Sequence, residues 1–274
     1  MQRGELIDLL RNMAVAVRLG ARVLTGLQGP VSFTKQTGAG TATWVGENPG
    51  SDVADSNLTL GLATLNPKTL QSSTSYSRQL LATASIDVES LVRSDLAAIH
   101  ALAWDKAVFH GIGAGNEPAG IYVAPDVNAV AMGGAPTFGK LVDMATEVAK
   151  DNALLGNLGF VTTPGMAGKL MQTLVASAAG SAMIWSGNHI EGSVAGYRAI
   201  ASNQIRSDLG GGSEHGIGFG NWADALVGMW AGLEILADPY RLKKQGMIEV
   251  TSFQMTDVLL RRGESFTKST GATL

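Results

Sequence analysis

Apolar side chains recur along this chain with two rhythms, and each predicts a different kind of element. Over residues 6–19 they fall at Leu6, Leu9, Leu10, Met13 and Val17, the spacing of an amphipathic helix. Gly20 offers that helix a stop, and Ala21-Arg22-Val23-Leu24 leads to a break at Gly29-Pro30. From Val31 the rhythm shortens to two. Residues 31–35 and 41–45 alternate as strands, a turn-rich run follows over 46–52, and 58–65 alternates again. The pattern predicts a long hairpin-like arm over 31–70. A two-stranded ribbon buries little and is marginal in water, so this arm is expected to lie on its own body or across a neighbour.

The helical rhythm returns over residues 77–110, at Leu80, Ala84, Val88, Leu91, Val92, Leu96, Ile99, Leu102 and Ala103. A capping site at Ser85-Ile86-Asp87 predicts a break, with a second helix on the order of 36 Å long from about Asp87 to a glycine stop at Gly111. Next, Gly111-Ile112-Gly113-Ala114-Gly115 invites a phosphate-binding reading. The dinucleotide fingerprint, however, follows a strand and opens a helix. Here the glycines close a helix and lead through Pro118 to a strand-like Ile121-Tyr122-Val123, so a structural loop is expected.

Further on, 137–150 reads as a helix capped by Thr137, with Leu141, Met144, Ala145 and Val148 on one face. A short strand over 159–164, a helix over 166–175 and a strand around 197–200 follow. After a polar loop at 207–216 come closing strands at 225–227, 233–236, 248–250 and 258–261. Helices and strands mix without regular alternation, which predicts an α+β fold with a mixed or antiparallel sheet.

Composition narrows the function. Among 274 residues, only 16% are charged against 45% hydrophobic, a low charged fraction that suggests much of the surface is covered by partners. The net charge of −3 gives no footprint for sequence-reading contacts to nucleic acid. Cysteine is absent, which excludes disulfides and thiolate chemistry and fits production in a cytosol. No segment reads as a signal or a membrane span, so a soluble protein is expected. His100, His110, His189 and His215 lack partners at zinc-ligand spacing, and no nucleophile elbow or acidic cluster is present.

Taken in order, the segments resemble a tailed-bacteriophage major capsid protein of the Hong Kong 97 type. The resemblance runs through Glu5-Leu6-Ile7-Asp8-Leu9-Leu10, Leu19-Gly20-Ala21-Arg22-Val23-Leu24, Trp44-Val45-Gly46-Glu47 and Asp87-Val88-Glu89-Ser90-Leu91-Val92-Arg93. It continues in Gly111 with Pro118-Ala119-Gly120-Ile121, in Phe219-Gly220-Asn221, and in the closing Arg261-Arg262-Gly263-Glu264-Ser265-Phe266. It implies an N-terminal arm at 1–30, an extended β loop at 31–72, a peripheral domain around a long spine helix from 73–124 and 248–274, and an axial domain at 125–247. It further implies a structural subunit, not an enzyme, without cofactor or membrane partner. Such subunits self-assemble as hexamers and pentamers of an icosahedral shell around double-stranded DNA, which is held without sequence-specific contacts. The implied setting is a virion capsid assembled in the host cytoplasm, with portal, scaffolding and decoration proteins as further partners.

Seven residues are candidate inter-subunit contacts: Trp44 as an aromatic anchor, the tip acids Glu47, Asp52 and Asp55, and Arg18, Arg78 and Arg93 as basic partners for those acids. Some relatives cross-link a lysine near the loop tip to an asparagine of another subunit. Here no lysine lies between Lys35 and Lys68, so a shell without covalent links is expected. Many relatives also begin with a scaffolding segment. This chain starts almost at the arm, so that segment is expected to be absent, separately encoded or not part of this sequence. The alternative within the fold is an encapsulin-like compartment holding enzyme cargo, which the phage-like loop order disfavours. The alternative outside it is a soluble α+β enzyme with a dispersed site.

Overall fold

Two mixed β-sheets, joined at one corner, form the body, and a two-stranded arm leaves from beside that corner. The computed structural model describes residues 9, 11–12, 14–47, 52, 55–83, 87–176 and 180–274. In chain order the elements are α1 (Ala16–Leu19), β1 (Arg22–Thr25), β2 (Val31–Gly38), β3 (Thr59–Leu65), β4 (Lys68–Ser77), α2 (Arg78–Thr83), α3 (Val88–His110) and β5 (Asn128–Gly134). There follow α4 (Phe138–Lys150), β6 (Leu158–Thr162), α5 (Pro164–Gln172), β7 (Trp185–Gly187), β8 (Glu191–Val194) and β9 (Tyr197–Ala201). The last are β10 (Ile217–Asn221), β11 (Ala225–Met229), β12 (Glu234–Asp238), β13 (Met247–Leu260) and β14 (Phe266–Ala272). No helix among the described residues is long and apolar enough to cross a membrane.

The first sheet is organised by β13, which is 14 residues long. That length lets it pair antiparallel with β4 along one edge and with β12 and β11 in succession along the other. Strand β1 then joins β11 in parallel. The second sheet runs β5-β14-β10-β6-β9-β8-β7, with parallel pairs at β14–β5 and β6–β9. An α+β body with mixed sheets is therefore what the chain forms. The closing segments expected at 248–250 and 258–261 are one continuous strand.

Sheet membership crosses the expected boundaries. Strands β11 and β12, from the range 125–247, pair with β13, whereas β14, from 248–274, pairs with β10 and β5. Strand β4 also runs through the 72/73 division. The cause of the β14 exchange lies in its side chains. Phe266 is fully buried between the sheets, and the buried Thr267 hydroxyl donates to the Met144 carbonyl at 3.1 Å.

Both crossings between the sheets meet at one carboxylate. Strand β10 passes to β11 through Trp222–Asp224, and β13 passes to β14 through Gly263–Ser265. Asp224 accepts from the Arg261 guanidinium (Nε at 3.1 Å), from Ser265 Oγ at 2.8 Å and from Asn221 Nδ2 at 3.2 Å. Beside it, the buried Trp222 ring meets Phe109 and Phe266 edge-on, each at 5.6 Å between centroids. Its indole N–H donates to the Gly159 carbonyl at 3.0 Å.

The helices follow local signals where these are strong. Asp87 caps α3 by accepting from the N–H groups of Glu89 and Ser90. The expected division of 77–110 is present, with α2 ending at Thr83. Thr137 caps α4, whose buried face is Leu141, Met144, Ala145 and Val148 as predicted. The reason for Gly111 differs from expectation. Its φ of −56° is not left-handed; a β-carbon there would overlap the Pro118 carbonyl oxygen. The residues after it form turns rather than the expected strand, because the N–H groups of Ile121 and Tyr122 donate to the Val108 and Phe109 carbonyls at 3.0 Å each.

Of the helix expected over 6–19, the described residues show α1. Residues 6–8, 10 and 13 lie outside the described residues, and the described ones before Ala16 are not helical. A distant side chain fixes the start. The fully buried Asp105 of α3 accepts the Val15 N–H at 2.9 Å and the Ala16 N–H at 2.7 Å, taking the role of an N-cap. Burial pushes the Asp105 carboxyl up to about 6, although the N–H groups of Ala16 and Val15 oppose this. A raised folded-state value means that the ionised form is the costly one. The contribution of Asp105 is thus most favourable below about pH 4 and declines as pH rises to about 6. Relative to Asp105→Asn, the wild-type chain is expected to lose about 2 kcal/mol of unfolding free energy between pH 4 and pH 7. Denaturant titrations of both proteins across that range provide the check; a pH-independent difference contradicts this account.

Candidate assembly surface

The arm is a ribbon with two unlike faces. Strands β2 and β3 pair antiparallel from Val31↔Leu65 to Gly38↔Thr59. Val31, Phe33 and Lys35 turn towards the body and are half-buried. The opposite face carries Leu60 and Leu62, continued by Leu58, and all three are exposed. Alternation in the sequence announced strands here, but not that the leucines would face away from the body.

The root is held firmly by the same chain. Leu65 is fully buried. Lys35 pairs with Glu264 and Lys68 with Asp257, each at 3.2 Å. The Asn66 N–H donates to Asp257 Oδ2 at 2.9 Å. Farther out, the arm's hydrogen bonds among the described residues are within the arm itself. The expected strand over 41–45 does not pair; instead the Thr41 N–H donates to Ser56 Oγ at 2.7 Å. Past that bond Trp44 is fully exposed, with Val45 beside it. A bare indole and three bare leucines on one projection leave apolar area that no described residue covers.

The seven candidate contacts occupy two different situations. Trp44, Glu47, Asp52 and Asp55 are exposed on the outer arm, and the three acids have no ion-pair partner among the described residues. The three arginines are engaged within their own chain. Arg18 pairs with Glu191 at 2.9 Å, Arg93 with Glu89 at 2.7 Å one helical turn away, and Arg78 donates to the Pro239 carbonyl at 3.0 Å. Glu191 is shared with Arg198, whose hydrogen bond and charge hold its carboxyl below the usual range. The structure does not bring these acids and arginines together within one chain.

Three of the four histidines serve the fold. His100 Nε2 lies 2.8 Å from Ser252 Oγ and 3.2 Å from Ser72 Oγ, linking α3 to β13 and β4. His110 accepts the Arg206 N–H at 3.0 Å and stacks on Tyr122, and burial pushes it down to about 4. His215 contacts Thr163 Oγ1 at 2.7 Å beside the cap of α5. A groove overlooked by the sequence reading lies near the arm's root, between α3, the loop after Gly111 and the ends of β4 and β13, with a volume of about 550 Å³. Its walls are remote in sequence, so no local pattern announced it.

Solved structures define the class: the fold is that of Hong Kong 97-type capsid subunits. A chain from the capsid of a native GTA particle matches 100% of this chain and 95% of its own length, at a TM-score of 0.76 and 17% identity. A chain from Microbacterium phage Oxtober96 matches 98% of this chain and 95% of its own, at a TM-score of 0.77 and 15% identity. The sequence gives the narrower answer, since residues 2–271 match the phage capsid family, to which this chain therefore belongs. That family is structural rather than enzymatic. The chain is 31% identical over 259 residues to the major capsid protein of Halomonas phage phiHAP-1, and 27% identical over 239 residues to that of Klebsiella oxytoca phage phiKO2. It covers 94% and 82% of itself in those matches but spans only 41% and 53% of the two relatives.

Because Trp44 touches nothing in its own body, Trp44→Ala is expected to change the stability of the dissociated subunit by no more than about 0.5 kcal/mol. Assembly should suffer instead, as truncating a central aromatic anchor commonly costs about 2 kcal/mol or more. Denaturant unfolding of the subunit and sedimentation of assembled material measure the two effects separately. Normal assembly by the variant removes the anchor role.

Proposed function

We propose that this chain is the repeating subunit of an icosahedral phage shell, built from hexamers and pentamers and enclosing double-stranded DNA without sequence-specific contacts. The observation that carries the proposal is the outer arm of a phage-capsid-family chain, on which Trp44 and a leucine row are exposed with no described residue covering them. In this reading residues 1–30 are the N-terminal arm and 31–72 the extended loop laid over a neighbour. The long helix α3 with the first sheet forms the peripheral region, and the second sheet with α4 and α5 forms the axial region. Tip acids Glu47, Asp52 and Asp55 face cations of an adjacent subunit. Portal, scaffolding and decoration proteins are further partners of the whole particle.

Electron cryomicroscopy of the purified protein tests this. Closed shells with five- and six-fold capsomers are expected, filled with DNA when isolated from producing cells. A compact monomer at all concentrations overturns the proposal, while shells loaded with enzyme and free of DNA replace it with an encapsulin-like compartment.

The proposed shell is held without covalent links. An isopeptide requires a free lysine amine beside an asparagine amide. The arm has no lysine between Lys35 and Lys68, and these two are ion-paired to Glu264 and Asp257 at the root. Boiled mature particles are expected to run as one band near 28.4 kDa on a denaturing gel. A boiling-resistant ladder contradicts this.

A further inference from the structure

We propose that the groove along α3 is a binding site for a small aromatic amino acid, its ring in an apolar cavity and its charged head between Lys106 and Glu117. The site belongs to the single chain, so it stands or falls separately from the shell reading.

Two cavities adjoin along one face of α3, where Ala103, Lys106, Ala107 and His110 recur at helical spacing. The first is the groove of about 550 Å³, with mainly apolar walls that include Trp104, Leu70, Ile112, Pro118 and Val258. A cavity of that size and character takes a small organic ligand. The second has a volume of about 580 Å³ and is lined mostly by polar side chains, Asn203, Gln204, Arg206 and Ser207 among them. Lys106, Ile112 and Glu117 border both cavities. A ligand seated across that waist keeps an apolar body in the first cavity and a polar head at the mouth of the second.

Hydrogen bonding and charge select the chemistry. Thr256 is buried, and its hydroxyl has no hydrogen-bond partner among the described residues. On β13 it shares a face with Ser252, which contacts His100 of α3, so it faces the helix that walls the groove. A buried hydroxyl without a partner is costly, and a hydroxyl on the ligand relieves that cost. At the waist, Lys106 on α3 and Glu117 on the loop are both exposed, and neither has an ion-pair partner among the described residues. The other cations of the two cavities are engaged, Lys68 with Asp257 and Arg206 with Asp208. A simple anion meets Glu117 there, and a simple cation meets Lys106. A head that carries both charges satisfies the two together. The carboxylate and ammonium of a free amino acid form such a head, and a phenol ring supplies the flat body and the hydroxyl.

Ligand-observed NMR on the purified full-length protein tests this with L-tyrosine and three compounds that each lack one feature. L-Phenylalanine lacks the hydroxyl, tyramine the carboxylate and para-hydroxyphenylpropionate the ammonium. L-Tyrosine is expected to bind tightest. Removal of either charge is expected to weaken binding about fivefold, as for a partly exposed ion pair, and loss of the hydroxyl is expected to weaken it too. Lys106→Gln is expected to erase only the preference for tyrosine over tyramine, and Glu117→Gln only that over para-hydroxyphenylpropionate. Ala103→Phe, which fills the groove from its half-buried wall, is expected to abolish binding of all four. If that variant does not fold, the two exposed-charge variants decide. No binding of L-tyrosine, equal binding of the four compounds, or unaltered preferences in the charge variants overturns the proposal. Equal binding of N-acetyl-L-tyrosinamide, whose head is blocked, also overturns it and points to a protein segment as the occupant.

Discussion

A buried carboxylate at the junction of two sheets is the constraint around which this fold is arranged. Asp224 sits where β10 becomes β11, and the groups that satisfy it come from where β13 becomes β14. A carboxylate taken from water needs such partners, because an unpaired buried charge costs several kcal/mol. The two crossings are therefore obliged to lie side by side. With Trp222 wedged between Phe109 and Phe266, the sheets are fixed in position by packing and by hydrogen bonds at one place.

That junction also sets the arm. Glu264, which holds Lys35, lies in the turn leading into β14, and Asp257, which holds Lys68, lies on β13 just before the junction. Both legs of the ribbon are thus attached to the stretch of chain that Asp224 organises. Each ion pair is partly exposed and contributes modestly. Together with buried Leu65, they decide where the ribbon emerges and which of its faces is left bare.

Features encoded by neighbouring residues were legible in the sequence. Asp87 and Thr137 cap the helices expected of them, and the buried face of α4 is the one its spacing announced. Features set by distant partners were not legible. Asp105, at the far end of α3, accepts the N–H groups at the start of α1, a contact that the spacing before Ala16 does not announce. Strand β14 reads as polar, since Thr267 and Ser269 are buried by hydrogen bonding to a carbonyl of α4 and to the Ile217 N–H. Of the candidate site, the bare outer arm was anticipated. The engagement of Arg18 and Arg78 within their own chain was not, because each partner lies on another element, whereas the Glu89–Arg93 pair is one helical turn apart and was open to a local reading.

The pairing of β13 with β4 has a consequence for how this chain is made. Ser72 and Ser252 share a hydrogen bond across 180 positions of sequence, and β1 finds β11 only after some two hundred residues have been synthesised. Contacts of such sequence separation form late and slowly. During translation the arm's return leg and the long helix emerge first, without the strand on which both rest. The socket that orients the arm is therefore completed only once the far end of the body has left the ribosome. An unfinished chain lacks the geometry to engage another copy, so competence to associate is delayed until synthesis of the body is done.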